Sequence, residues 1–262
     1  MRLTLAVEIA LAVSLLAAGF GALSGWGGVA AAAIGTAVLW AGGWAGAAAL
    51  FAFFLSSSAL SHFLPDPAAQ HGEAKGGRRD AGQVLANGGA AAIIALIAST
   101  RPSLALWAIT ASLAVAAADT WATAIGATSP HLPNHIISGE TIPAGTSGGI
   151  TVRGTLGALL GALVVAAAAA MVVRSTRLFV VGTIVGWVGM VFDSGLGGMV
   201  QGRFHCPACD TATERALHRC GTRTHPTGGW RWLTNDGVNA IATGSGAVLG
   251  AAAWYWIGPG AR

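Results

Sequence analysis

Charge is what this sequence lacks most: Asp, Glu, Lys and Arg together make up 9% of its 262 residues. A soluble domain carries about 25%, so a chain this poor in charge and 54% hydrophobic cannot cover a water-exposed globular surface. Lysine is nearly absent, the positive charge resting on thirteen arginines and Lys75. Ten-residue stretches of alternating polarity are missing and Ala and Leu dominate the apolar runs, which excludes a membrane β-barrel. No Gly-Lys-Ser/Thr ending is present, so there is no Walker A loop. No Ser-His-Asp set is readable, and His62, His71, His131 and His135 read as loop residues. No internal repeat divides the chain.

What is there in quantity is apolar sequence, with a mean hydropathy of +0.65. Apolar segments fall near residues 4–22, 28–41, 43–62, 82–98, 102–119, 153–173, 178–199 and 237–257. An α-helix of ~17 or more such residues crosses ~30 Å of hydrocarbon. The 39 glycines suit close helix packing in lipid. The expected fold is all-α, a single polytopic membrane domain over 1–262 with about eight transmembrane helices. Gly42-Gly43 is either a tight turn or a flexible point in one longer helix, which leaves seven spans as the alternative. Glu8 interrupts the first apolar run, which favours a retained helix over a cleaved signal peptide.

Polar loops at about 63–81, 120–152 and 200–236 are separated by even numbers of spans, so all three face one side. These loops and their flanks carry nine basic residues against five on the other side (Arg2, Arg101, Arg174, Arg177 and Arg262). The positive-inside rule puts the loops in the cytoplasm and the N-terminus outside. Basic residues so placed read as topology signals and headgroup contacts, not as a surface for a nucleic acid polymer. Asp66, Glu73, Asp80, Asp119, Glu140, Asp193, Asp210, Glu214 and Asp236 lie at or near the same side, leaving Glu8 alone elsewhere. Insertion rules hardly weigh acidic residues; a site that needs carboxylates would account for the clustering.

Asp119 ends the fifth span, and a continuing helix puts Thr123 and Gly126 on its face, a carboxylate and a hydroxyl beside a gap. Asp193 lies inside the seventh span, where an ionisable residue is a functional candidate by default. Asp236 opens the eighth span beside Asn235 and Asn239, more polar groups than one helix cap requires. Asn87, early in the fourth span, completes a set of helix ends aimed at one cavity. The stretch from Pro143 to Thr155 contains Gly145, Thr146, Ser147, Gly148 and Gly149, followed by Arg153 at a helix start. Backbone N–H groups, hydroxyls and a helix N-terminus of this kind suit a phosphate, and Arg153 and Arg79 could neutralise its charge. Asp119, Asp193 and Asp236 are thus the expected Mg²⁺ ligands and catalytic residues.

All three cysteines fall in the 200–236 loop, inserted between the last two spans. Cys206, Cys209, His218 and Cys220 are four soft ligands suited to a closed tetrahedral zinc site. His205 and His225 are alternative ligands, and free thiols the competing explanation. A reducing cytoplasm disfavours a disulfide.

These motifs, in this order, resemble the DUF92 family of integral membrane proteins, which includes transmembrane protein 19 and phytyl-phosphate kinase-like proteins. The matching stretches are 53–58, 79–88, 118–126, 143–155, 192–197 and 230–239, together with the Cys/His set. The resemblance implies phosphoryl transfer from CTP or another nucleoside triphosphate to an isoprenyl monophosphate, giving the diphosphate. It also implies a lipid bilayer, that lipid phosphate and a nucleotide as partners. The chain departs from the family at Ala124, where Glu is common, at Thr141, where Lys is common nearby, and around Ala59 and His62, where a Lys is usual. A CDP-lipid-forming cytidylyltransferase, a transporter and a non-catalytic scaffold are the alternatives.

Overall fold

Backbone groups in hydrocarbon must satisfy their own hydrogen bonds, so the apolar runs become helices. A computed structural model describes residues 1–64 and 78–258; Asp66, His71, Glu73, Lys75 and Arg262 lie outside the described residues. The helices are α1 (Leu3–Gly19), α2 (Gly25–Phe63), α3 (Ala81–Ile97), α4 (Pro102–Gly126), α5 (Val152–Val173), α6 (Thr176–Val200) and α7 (Asn235–Ile257). Five of them, α2 and α4 to α7, are long and apolar enough to cross a membrane, while α1 and α3 are shorter. Side chains that accept from backbone N–H groups start most of them: Ser24, Thr151, Ser175 and Thr234, and Asp80 in a full capping box with Gln83.

At 39 residues, a straight α2 would run about 58 Å, twice the hydrocarbon thickness. Gly43 breaks it, with φ 58° and ψ −150°, a conformation open essentially to glycine alone. Beyond it the chain returns on itself, since a Cβ on Gly46 would sit 2.9 Å from the Val38 carbonyl oxygen. Positions eight apart in a straight helix are separated by about 12 Å. Helix α2 is therefore a hairpin of two limbs, 25–42 and 44–63, and the described residues form eight helical segments.

That count brings the polar loops to one end of the bundle. Backbone bonds from Arg79 N–H to the Ala22 carbonyl and from Ser24 N–H to the Arg79 carbonyl tie the α1–α2 turn to the start of α3. At the opposite end Arg101 donates to the Tyr255 hydroxyl (2.9 Å) and Arg177 to the Ile257 carbonyl (3.1 Å). The loop end also carries β-structure that the sequence did not foretell. Strands β1 (Asn134–His135) and β2 (Gly149–Ile150) pair antiparallel; β3 (Arg203–Cys206) lies between β4 (Thr211–Thr213) and β5 (His225–Gly228).

Helix α4 is the axis, with every residue from Leu104 to Ala118 buried, enclosed by α2, α3, α5, α6 and α7. Its neighbours approach it through glycine: a Cβ on Gly186 would meet Ala114 and Ala162 at 2.8 Å, and one on Gly250 the Trp107 carbonyl oxygen at 2.6 Å. Gly186→Leu should accordingly lower the unfolding temperature of detergent-solubilised protein, as overpacking costs about 1–3 kcal/mol. Gly244→Ala, where a Cβ meets nothing within 4 Å, should leave the same thermal melt unchanged.

Candidate functional site

Two carboxylates meet near the loop end of the bundle. Asp119 lies in the last two turns of α4, and Asp193 in the last two turns of α6 is 8% exposed. The negative charge of Asp119 acts on Asp193 across the helix interface. Asn239 of α7 partners Asp193: with its amide oriented to satisfy both neighbours, it donates to Asp193 Oδ2 at 3.1 Å and to the Asn235 carbonyl at 3.3 Å. Asp236 precedes Asn239 by one turn on the same face of α7, nearer the loops. Its Oδ2 lies 3.0 Å from the Cβ position of Gly82, at the first turn of α3.

Among the described residues, a group of three or more metal-type ligands converges in the Cys/His loop and not at these aspartates. Asp119 and Asp193 form a pair, and Asp236 stands at the mouth above it. Mg²⁺ commonly takes one or two carboxylates and completes its shell with water and phosphate oxygens, a donor set the pair fits. Thr123 is exposed at the end of α4. Gly126 opens no gap for a ligand, because it packs on Gly154 at the start of α5, where a Cβ would lie 3.5 Å from the Gly154 Cα.

The Gly-rich loop seats on the end of α6, one turn beyond Asp193. A Cβ on Gly148, whose φ is +83°, would come within 2.6 Å of the Gly198 Cα, so only glycine allows this approach. Inside the loop, Gly149 N–H donates to the Thr146 carbonyl and Thr146 N–H to that of Pro143. Gly145, also at positive φ, precedes this turn, and the Ser147 hydroxyl donates to the Glu214 carboxylate. Arg153 reaches elsewhere: its Nη1 donates to the Thr128 carbonyl at 2.7 Å, fastening the chain beyond α4.

Two nitrogens beside this loop carry no partner, and sequence reasoning missed both. Ser138 N–H donates to His135 Nδ1 at 3.3 Å, which puts the ring proton on Nε2. That Nε2, and the side-chain nitrogen of Gln201, are buried without a hydrogen bond. His135 Nε2 faces Gly198, and the Gln201 amide lies by Gly197. Unsatisfied buried donors are rare enough to require an account.

Arg79 and Asn87 do not join the acid pair. They line a cavity of about 80 Å³ among α1, α2 and α3. The Arg79 guanidinium lies 5.5 Å from the Phe53 ring centroid and 5.8 Å from that of Phe54. Burial lowers its pKa to about 10, so it remains a cation near neutrality.

In the last loop, the ligand atoms of Cys206, Cys209, His218 and Cys220 all lie within 4.8 Å of one another. The Cys206 and Cys220 sulfurs are 3.6 Å apart and His218 Nδ1 is 3.1 Å from Cys220 Sγ. Zn–S bonds of about 2.3 Å in a tetrahedron require S···S of roughly 3.8 Å, so the set fits zinc. Hydrogen bonds from Thr222 and His218 pull the Cys220 thiol down to about 6, while its bond to Cys220 holds Cys209 up at about 11. His205 is occupied otherwise, its Nε2 lying 3.1 Å from Asp210 Oδ1, and His225 is exposed in β5.

A bundle of long apolar helices with most of its ionisable groups at one end defines a multi-pass integral membrane protein. Residues 8–247 match the family described as integral membrane protein DUF92, and the chain belongs to that family. It is 29% identical over 167 residues to "Uncharacterized membrane protein MJ0933" of Methanocaldococcus jannaschii, covering 64% of this chain and 59% of that protein. The chain thus spans less than two-thirds of the archaeal relative's length. It is 25% identical over 224 residues to "Protein PGR" of Arabidopsis thaliana, covering 74% of this chain and 76% of the plant protein. No solved structure matches it.

The paired carboxylates should behave as a site held at the expense of stability. Asp193→Asn removes their repulsion and should raise the melting temperature, whereas Asn239→Leu strips Asp193 of its donor and should destabilise by about 1–3 kcal/mol. Differential scanning fluorimetry on the purified variants reads both signs.

Proposed function

We propose that the protein transfers the γ-phosphoryl group of CTP or another nucleoside triphosphate to an isoprenyl monophosphate at the loop end of the bundle. The observation that carries this reading is the seating of the Gly-rich loop one turn from Asp193, with two unpartnered buried N–H donors beside it. Carboxylates suited to a cation and orphaned donors suited to an anion are the two halves of a metal–polyphosphate site. The resemblance to phytyl-phosphate kinase-like proteins supports the choice of acceptor.

Asp119 and Asp193 would hold Mg²⁺, which supplies charge neutralisation for the triphosphate when bound. Asn239 keeps the Asp193 carboxylate oriented, and Asp236 stands at the entrance. Ser147, Gly148 and the donors of His135 and Gln201 would receive the phosphate oxygens once the loop shifts to admit them. An oxygen of the acceptor monophosphate attacks the γ-phosphorus, the bond from that phosphorus to the β-bridging oxygen breaks, and the nucleoside diphosphate leaves. Such transfer depends on alignment and charge stabilisation, so no side-chain nucleophile is needed. The loop end would face the cytoplasm, in line with its excess of basic residues, and zinc in the Cys/His loop would brace the lid formed by β3, β4 and β5.

The direct test is incubation of purified protein with Mg²⁺, labelled CTP or ATP, and phytyl or geranylgeranyl monophosphate. Prenyl diphosphate should form, and Asp119→Asn or Asp193→Asn should each cut turnover by at least about 100-fold, the scale of losing a charge-stabilising group. A CDP-lipid with release of pyrophosphate would replace kinase by cytidylyltransferase. Full activity in both variants would remove the acid pair from the mechanism. Separately, elemental analysis should find about one zinc per chain, since the set matches one four-ligand site, with none retained in Cys206→Ser.

A further inference from the structure

The cavity among α1, α2 and α3 has no part in holding the acid pair or the Gly-rich loop, yet it is built. Its lining runs from Ala17 to Ile9 on α1 and from Ala31 to Leu39 on α2, a depth of about 12 Å at 1.5 Å per residue. The deep end is apolar, closed by Leu39 and Leu50. The end near the loops carries Arg79, Gln83 and Asn87, and among the described residues no carboxylate lines the space. Among the described residues the Arg79 side chain meets aromatic rings and no ion-pair partner. A buried cation without a counter-charge is costly, and an anion would relieve it.

The donors at that end are held in place. Gln83 Oε1 already accepts from Asp80 N–H at 3.1 Å, which leaves its amide NH₂ to donate elsewhere. Asn87 follows one helical turn later on the same face. The Arg79 backbone is clamped to Ala22 and Ser24, and the clamp requires glycine at position 27, where a Cβ would collide with the Arg79 carbonyl oxygen. A cavity volume of about 80 Å³ spread over that depth is a narrow slot, well short of the ~300–1,000 Å³ of a pocket that encloses a whole drug-sized ligand: room for part of one chain and not two.

We propose that this cavity holds the tail of a single-chain lipid monophosphate, with its phosphate against Arg79, Gln83 and Asn87. Calling that lipid the acceptor rests on the phosphoryl-transfer reading above; its binding here does not. The head end adjoins the first turn of α3, the turn that Asp236 touches from the other side. The lipid phosphate would thus arrive beside the mouth of the acid site.

The test is a nucleotide-free binding measurement on purified full-length protein, using a diazirine-bearing geranylgeranyl monophosphate and mass-spectrometric mapping of the crosslinks. Label should fall on the α1 and α2 peptides that contain Val13 and Ile34. Arg79→Gln should weaken binding at least tenfold and Arg79→Lys less; Ala31→Phe and Val13→Phe, which fill the cavity, should each reduce labelling severalfold while the thermal melt stays that of the wild type. Geranylgeraniol and palmitate should compete at least tenfold more weakly than geranylgeranyl monophosphate. Label mapping outside α1 to α3, or affinity unchanged in Arg79→Gln and both filled variants, would overturn the proposal, as would equal competition by a two-chain phosphatidate. Sensitive binding without turnover would uphold this site and sink the kinase; turnover with unchanged binding in these variants would do the reverse.

Discussion

Contact between helix backbones through glycine and alanine is the constraint on which the rest of the molecule depends. Lipid offers helices little hydrophobic reason to associate, so association rests on close packing. Here α4 is enclosed over its whole apolar length, and Gly161, Gly186 and Gly250 bring α5, α6 and α7 against it with no space for a side chain. Because α4 and α6 pack so closely, Asp119 and Asp193 end up facing each other at a depth where solvent is scarce. Neither carboxylate could be kept there by its own helix. Asn239 completes the arrangement from α7, so the site exists only when three helices have docked.

The first turn of α3 divides the loop end into two chemically opposite compartments. On one side stand Asp236, Asn239 and the acid pair; on the other stand Arg79, Gln83 and Asn87 above an apolar space. The capping box of Asp80 and Gln83 serves both the helix and the partition, since it fixes the amide that faces the cavity. Cations and carboxylates so close together would be expected to pair and cancel. The first turn of α3 stands between the Arg79 cavity and the acid pair, so the two groups of polar side chains face different spaces.

Much of this was legible in the sequence, and the rest fails to be for definite reasons. The helices could be read because hydrocarbon imposes a length and a composition, and Gly42-Gly43 between two tryptophans marked the hairpin in α2. The Cys/His set was legible because four soft ligands in one loop have few other uses. Arg79 and Asn87 line the cavity among α1, α2 and α3, a placement the sequence does not reveal, since proximity along the chain to other polar helix ends says nothing about which face of α3 they occupy. Gly126 was read as a gap because helical spacing puts it in line with Asp119; a glycine in lipid more often admits another helix, and here that helix is α5. Arg153 looked free to bind phosphate, but a carbonyl left open after the end of α4 takes it. His135 and Gln201 carried no signal, because a missing hydrogen-bond partner is a property of three-dimensional packing.

The distribution of polarity across the bundle bears on transport as well as on catalysis. A solute path needs polar groups or water along the whole thickness of the membrane. Over its buried stretch from Leu104 to Ala118, α4 offers the hydroxyls of Thr110 and Ser112, and both lack a hydrogen-bond partner. Both are fully buried, so close packing fills this depth of the bundle. Among the described residues, ionisable groups resume only at the two ends of α4, and at the far end Arg101 and Arg177 are bound to Tyr255 and to a helix carbonyl. Ionisable groups at the loop end, with close packing through the middle of α4, accord with the one-sided phosphoryl transfer proposed above. Along α4, the described residues offer a charged solute no row of ionisable groups between the two ends.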